Sequence, residues 1–107
     1  MSDIDKKLEH ARDRATNYGL LYGNKETADD YLKVTYAQLY EDAPVGTVPE
    51  RDSWIRRQKE YQDAIDRKKD AYSKWKCAET YMKILMVEAE VWRTEQANNR
   101  YMDKAHQ

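Results

Sequence analysis

The sequence predicts an all-α protein, an antiparallel hairpin of two long helices that dimerises into a four-helix bundle. Three observations carry this expectation. Apolar residues step by three and four along both halves of the chain. The only dense punctuation, Pro44, Gly46 and Pro49, falls between those halves. Strict apolar–polar alternation, the mark of a half-buried strand, is absent.

The first helix is expected over about residues 3–41. Ser2 with Asp5 resembles a capping box, and acidic residues in a first turn suit the helix dipole. Its seam reads Ile4, Leu8, Ala11, Ala15, Tyr18, Tyr22, then Leu32, Tyr36, Leu39 and Ala43, with Lys25 and Asp29 as its two polar beats. Gly19 and Gly23 oppose a continuous helix, since each costs about 1 kcal/mol against Ala. A break near 19–27, with Thr27 and Asp30 capping a fresh helix, is the alternative.

A loop over about 42–52 follows, then a second helix over about 53–104 capped by Asp52 or Ser53. This half has no Gly or Pro after residue 49. Its seam runs through Trp54, Tyr61, Lys68, Trp75, Met82, Ala89 and Gln96, with a companion row three residues on through Arg57, Ala64, Ala71, Ala78, Leu85, Trp92 and Asn99. Folding about residue 47 brings Trp75 near Gly19 and Ala71 near Gly23, so the small residues would admit an indole. Lys25, Asp29 and Lys68 fall at one height, either as a register-fixing polar layer or as snorkelling side chains. The second helix outlasts the first from about residue 91. Two helices enclose no core, and three Trp, nine Tyr and four Met need more cover than one shared face. Hence the expected dimer.

Composition limits function. The 107 residues form a single domain with a net charge of −1. No stretch suits a membrane span, and residues 1–25 lack a signal-peptide core. A cytoplasmic setting is expected, and Cys77 has no intramolecular partner. His10 and His106 lie at opposite ends of the chain. No phosphate loop or nucleophile motif occurs, so neither enzyme activity nor a cofactor or metal is expected. Residues 51–76 carry a net +4, with Arg56, Arg57, Lys59, Arg67 and Lys69 as candidate DNA or RNA contacts. Residues 1–50 carry a net −4 and offer these bases an intramolecular counterpart. On the overhang, Trp92, Arg93, Gln96, Asn99 and Arg100 are candidates for binding a protein partner.

The run Trp92–Arg100, WRTEQANNR, followed by Tyr101-Met102-Asp103, resembles the C-terminal signature of small helical proteins of phages and prophages. The opening Ser2–Glu9 and the pair Tyr31-Leu32 are also similar to theirs. That family is of unknown function and is often encoded near recombination or replication genes. Gly19 and Gly23 depart from its usual helix formers. The resemblance implies a phage protein of the bacterial host cytoplasm and supplies no activity; the function expected for the chain is an accessory protein that binds a recombination, replication or host protein. The alternatives are direct nucleic-acid binding and a virion assembly or structural role.

Overall fold

The computed structural model describes residues 2–105, which form three helices: α1 (Asp3–Asp42), α2 (Val48–Arg56) and α3 (Lys59–Ala105). His106 lies outside the described residues. The two long helices pack antiparallel, and α2 folds across their joined end. The molecule is a rod of 86 × 26 × 14 Å with a radius of gyration of 24.0 Å. A globule of this length has a radius near 13 Å, so most side chains touch either one neighbouring helix or water.

α1 is unbroken. The Ser2 hydroxyl accepts from the Asp5 amide at 3.2 Å, as the capping pattern predicts. The break considered near 19–27 does not occur: Thr27 caps nothing, and its hydroxyl donates back to the Gly23 carbonyl at 2.9 Å within the helix. Nor do the glycines admit an indole. A Cβ built on Gly19 or Gly23 meets nothing within 4 Å, so both face open space. Trp75 packs instead against Tyr18 and Tyr22, on either side of Gly19 in sequence.

The expected loop over 42–52 is replaced in its second half by α2, and the second long helix begins at Lys59 instead of 53. Thr47 caps α2 by accepting from the Glu50 amide at 3.3 Å, and Pro49 sits in the first turn, where its missing N–H costs nothing. Asp52 and Ser53 are therefore interior to α2 and cap nothing. The chain bends at Arg57–Gln58, where the Gln58 side chain donates to the Trp54 carbonyl at 2.8 Å. Tertiary packing explains the bend. Ile55 and Tyr61 both enter one apolar cluster with Leu39, yet six residues of straight helix would point them about 120° apart. Bending at 57–58 brings both inward.

That cluster is the core, and it sits at the closed end. Ile55 is 0% exposed, with Leu32, Tyr36, Tyr40, Trp54 and Ile65 packed around it. From there the seam runs along the rod through Thr35, Ala28 and Leu21 as well as the expected Leu39, Leu32, Lys25 and Tyr18. One row of the predicted seam is thus correct in phase. The other turns by one residue, onto the buried Ala28 and Thr35.

Candidate interaction surface

Pairs across the hairpin fix its register. Tyr36 packs on Tyr61, Asp29 stands beside Lys68, Tyr22 packs on Trp75, and His10 Nε2 lies 3.0 Å from the Tyr81 hydroxyl. Continuing this stagger sets Asp3 opposite roughly residue 89, so about 15 residues of α3, or ~22 Å, extend past α1.

Lys25, Asp29 and Lys68, for which the sequence leaves two readings open, meet across the hairpin, with Lys68 still half exposed. Asp29 lies 3.6 Å from Lys68 Nζ and 4.0 Å from Lys25 Nζ, and Lys25 also donates to Glu26 at 3.0 Å. The hydrogen bond to Glu26, with Asp29 and Tyr22 adding to it, raises the Lys25 ammonium above its ordinary pKa against the opposing cost of desolvation. The same ammonium lies 4.9 Å from the Trp75 ring centroid, a cation–π contact. The Trp75 Nε1 is buried without a hydrogen-bond partner. At the closed end, Arg56 and the Tyr36 hydroxyl both donate to Asp52 at 2.8 Å, which holds this carboxyl below the usual range. Arg51 donates to the Tyr40 carbonyl and lies over its ring. These contacts lock the short helix onto α1.

The five candidate nucleic-acid residues do not converge on one ligand surface. Arg56 is paired with Asp52, Arg57 closes α2, and Lys59 opens α3. Arg67 lies over Tyr31 at 4.7 Å. Lys69, two residues further along, points about 160° away from Arg67 on the helix. Among the described residues, no group of three His, Cys, Asp or Glu side chains is placed to hold a metal ion. No helix there is long and apolar enough to cross a membrane.

The candidate partner-binding residues do come together. Trp92, Gln96 and Asn99 share one side of the overhang, flanked by Arg93 and Arg100, all within about 120° of arc. Trp92 is 40% exposed and Gln96 is half-buried.

The sequence reading missed the breadth of apolar exposure beside them. From Tyr81 onward every large apolar residue except Met82 and Leu85 is exposed, including Ile84 (49%), Val87 (63%), Val91 and Tyr101. Ile4 and Leu8 of α1 are exposed at the same end. The signal was available in the run Tyr81–Trp92, which is apolar on more than one side of the helix. Such a segment is normally surrounded by other helices, and here α1 covers one side only.

Comparison of the chain with models of protein families, with curated proteins and with solved structures finds no match in any of the three.

Proposed function

We propose that this chain is a non-enzymatic helical interaction module whose working surface is the open end of the hairpin. The observation that carries this reading is the concentration of exposed apolar side chains on α3 from Tyr81 onward, together with Ile4 and Leu8 of α1. Contiguous apolar surface of this extent marks a protein-binding site. In this reading, two copies bring their open ends together, so that two α3 segments and two α1 starts form a four-helix cluster. The dimer then presents its overhangs to a further protein. Trp92 has the residue type of an interface anchor, and Arg93 and Arg100 suit its rim.

The phage-like run supports placing the module among accessory proteins that act on a recombination, replication or host protein in the bacterial cytoplasm. The test is capture during infection. Tagged wild-type protein recovers a defined phage or host protein, and Trp92→Ala with Arg93→Ala loses it while the helical circular dichroism is unchanged. Equal capture by the variant removes the overhang as the docking site.

A further inference from the structure

A second edge of α3 lies open. The inward edge, through Trp75, Ala78, Met82 and Leu85, is half-buried against α1. Roughly 170° around the helix from it, Cys77, Thr80, Ile84, Val87, Val91 and Thr94 repeat at spacings of three and four, and all six are exposed. This outer edge carries no charge. Five of the six β-branched residues of α3 fall on it, the sixth being Ile65 beside the core. Such side chains are weak helix formers, so in water they bring α3 nothing, whereas a seam between two helices favours them.

Charge on the flanks of this edge identifies its occupant. Lys74 and Glu95 stand on one flank, Lys83 and Glu90 on the other. Among the described residues Glu90 and Glu95 join no ion pair, and the two lysines pair only within α3, with Asp70 and Glu79. Between antiparallel helices each flank meets its own counterpart; between parallel helices it meets the opposite flank five residues on. In the antiparallel case the stretch Cys77–Thr94 overlaps itself completely about a centre between residues 85 and 86. Ile84 then faces Val87 of the other copy, Val91 faces Thr80, and Thr94 faces Cys77. The same register sets Lys83 beside Glu90 and Lys74 beside Glu95, each twice, and its one like pair, Lys69 with Lys104, falls at the ends. Sliding by a heptad one way opposes Val91 to Ser73 and Thr94 to Asp70. Sliding the other way opposes Glu88 to Glu88 and Glu90 to Glu90. A parallel, in-register pair sets Lys83 beside Glu88 but also Glu90 beside Glu95 and Lys69 beside Lys74, so repulsion outnumbers attraction.

We infer that the outer edge of α3 is a seam for a second copy of the chain, antiparallel and centred between residues 85 and 86. The inference rests on the self-association proposed above and gives it an edge, an orientation and a register. The helices lie in the order α1–α3–α3–α1, so α1 obstructs nothing. Each α3 ends level with residue 66 of the other, short of the bend at Arg57–Gln58, and the seam runs ~60 Å. Both α1 starts sit near its middle. The edge that holds Trp92 and Gln96 stays open for a further protein.

Cysteine trapping on the full chain tests the arrangement. In the wild-type dimer the two Cys77 thiols lie ~25 Å apart, beyond disulfide reach, whereas Thr94→Cys places a second thiol against Cys77 of the other copy. The expected result is that mild oxidation leaves wild type unlinked and links the Thr94→Cys dimer covalently, while Thr94→Cys in a Cys77→Ser background stays unlinked. A wild-type dimer that links through Cys77 has parallel copies and overturns the orientation. A chain that sediments as a dimer without the Thr94→Cys disulfide overturns the seam and leaves self-association standing. A chain that sediments as a single copy at every concentration overturns both. Charge reversal reads the same register without new cysteines. Lys83→Glu or Glu90→Lys alone weakens the dimer about tenfold. An equimolar mixture of the two variants restores both pairs and recovers wild-type affinity, and failure to recover also overturns the register.

Discussion

Lys68 of α3 reaches across the hairpin to Asp29 of α1, with Nζ 3.6 Å from the carboxylate oxygen, and Lys25 approaches the same carboxylate from its own helix at 4.0 Å. One acid between two bases interrupts an otherwise apolar and aromatic seam. Its effect on stability depends on how much of it is removed. Asp29→Leu alone leaves two ammonium groups facing each other and lowers the melting temperature. Replacing Lys25, Asp29 and Lys68 together by Leu removes the desolvation cost as well and raises it. Thermal denaturation by circular dichroism checks both signs, and a triple variant that melts below wild type would show the layer to be a net source of stability.

Two carboxylates set the acid limb of the stability profile. Hydrogen bonds from Arg56 and Tyr36 lower the pKa of Asp52, and those from Lys76 and Lys83 lower that of Glu79. A carboxyl depressed on folding stabilises the native state above its unfolded pKa, about 3.9 for Asp and 4.3 for Glu. That contribution disappears as pH falls through the folded value. Melting temperature should therefore fall below roughly pH 4, and less steeply in Asp52→Asn with Glu79→Gln. At the alkaline end the signs reverse. The hydrogen bond to Asp52 raises the Tyr36 pKa, so its contribution is present below about pH 10 and is lost as pH rises through the folded value. Tyr36→Phe should flatten that limb. Melts across the pH range read both variants, and identical limbs in variant and wild type would contradict the assignment.

Gly19 and Gly23 lie in open helix with room for a Cβ. Gly19→Ala and Gly23→Ala should each stabilise the chain by about 1 kcal/mol, a rise in melting temperature of roughly 4–8 °C. Destabilisation by either substitution would mean that the glycine serves a close approach absent from the single chain.

Among the described residues, Ile55 is the one large side chain fully buried. Ile55→Ala should cost about 3 kcal/mol through lost burial and the cavity left behind. Val45→Ala, fully exposed in the connection between α1 and α2, should change stability by less than about 0.5 kcal/mol. Urea titration of the two variants checks the contrast. Similar losses at both sites would place the core elsewhere.

The parts of this fold that depend on local pattern were readable from the sequence. Leu32 and Leu39 kept the phase of the first seam across the glycines, and Tyr61, Ala64 and Trp75 gave the second, so the hairpin and its overhang followed directly. Ala28 and Thr35 were missed because neither is large and apolar, although both are buried. The short helix α2 had a legible start in Thr47-Val48-Pro49-Glu50, a capping pattern with proline in the first turn. Its end had none. No glycine or proline marks Arg57–Gln58, and the bend exists because Ile55 and Tyr61 must share a cluster with Leu39, a residue of another helix. The same holds for the interaction surface. Its residues were visible as a run, but which of them α1 leaves uncovered depended on the register between helices.

Sedimentation equilibrium of the full chain over a wide concentration range, beside an Ile84→Lys, Val87→Lys variant, tests the central claim most directly. The account predicts that wild type sediments at twice its 12.8 kDa chain mass by micromolar concentration, while the variant keeps its helical circular dichroism and stays at the single-chain mass. Wild type at the single-chain mass throughout, or a variant that associates as tightly as wild type, would contradict it.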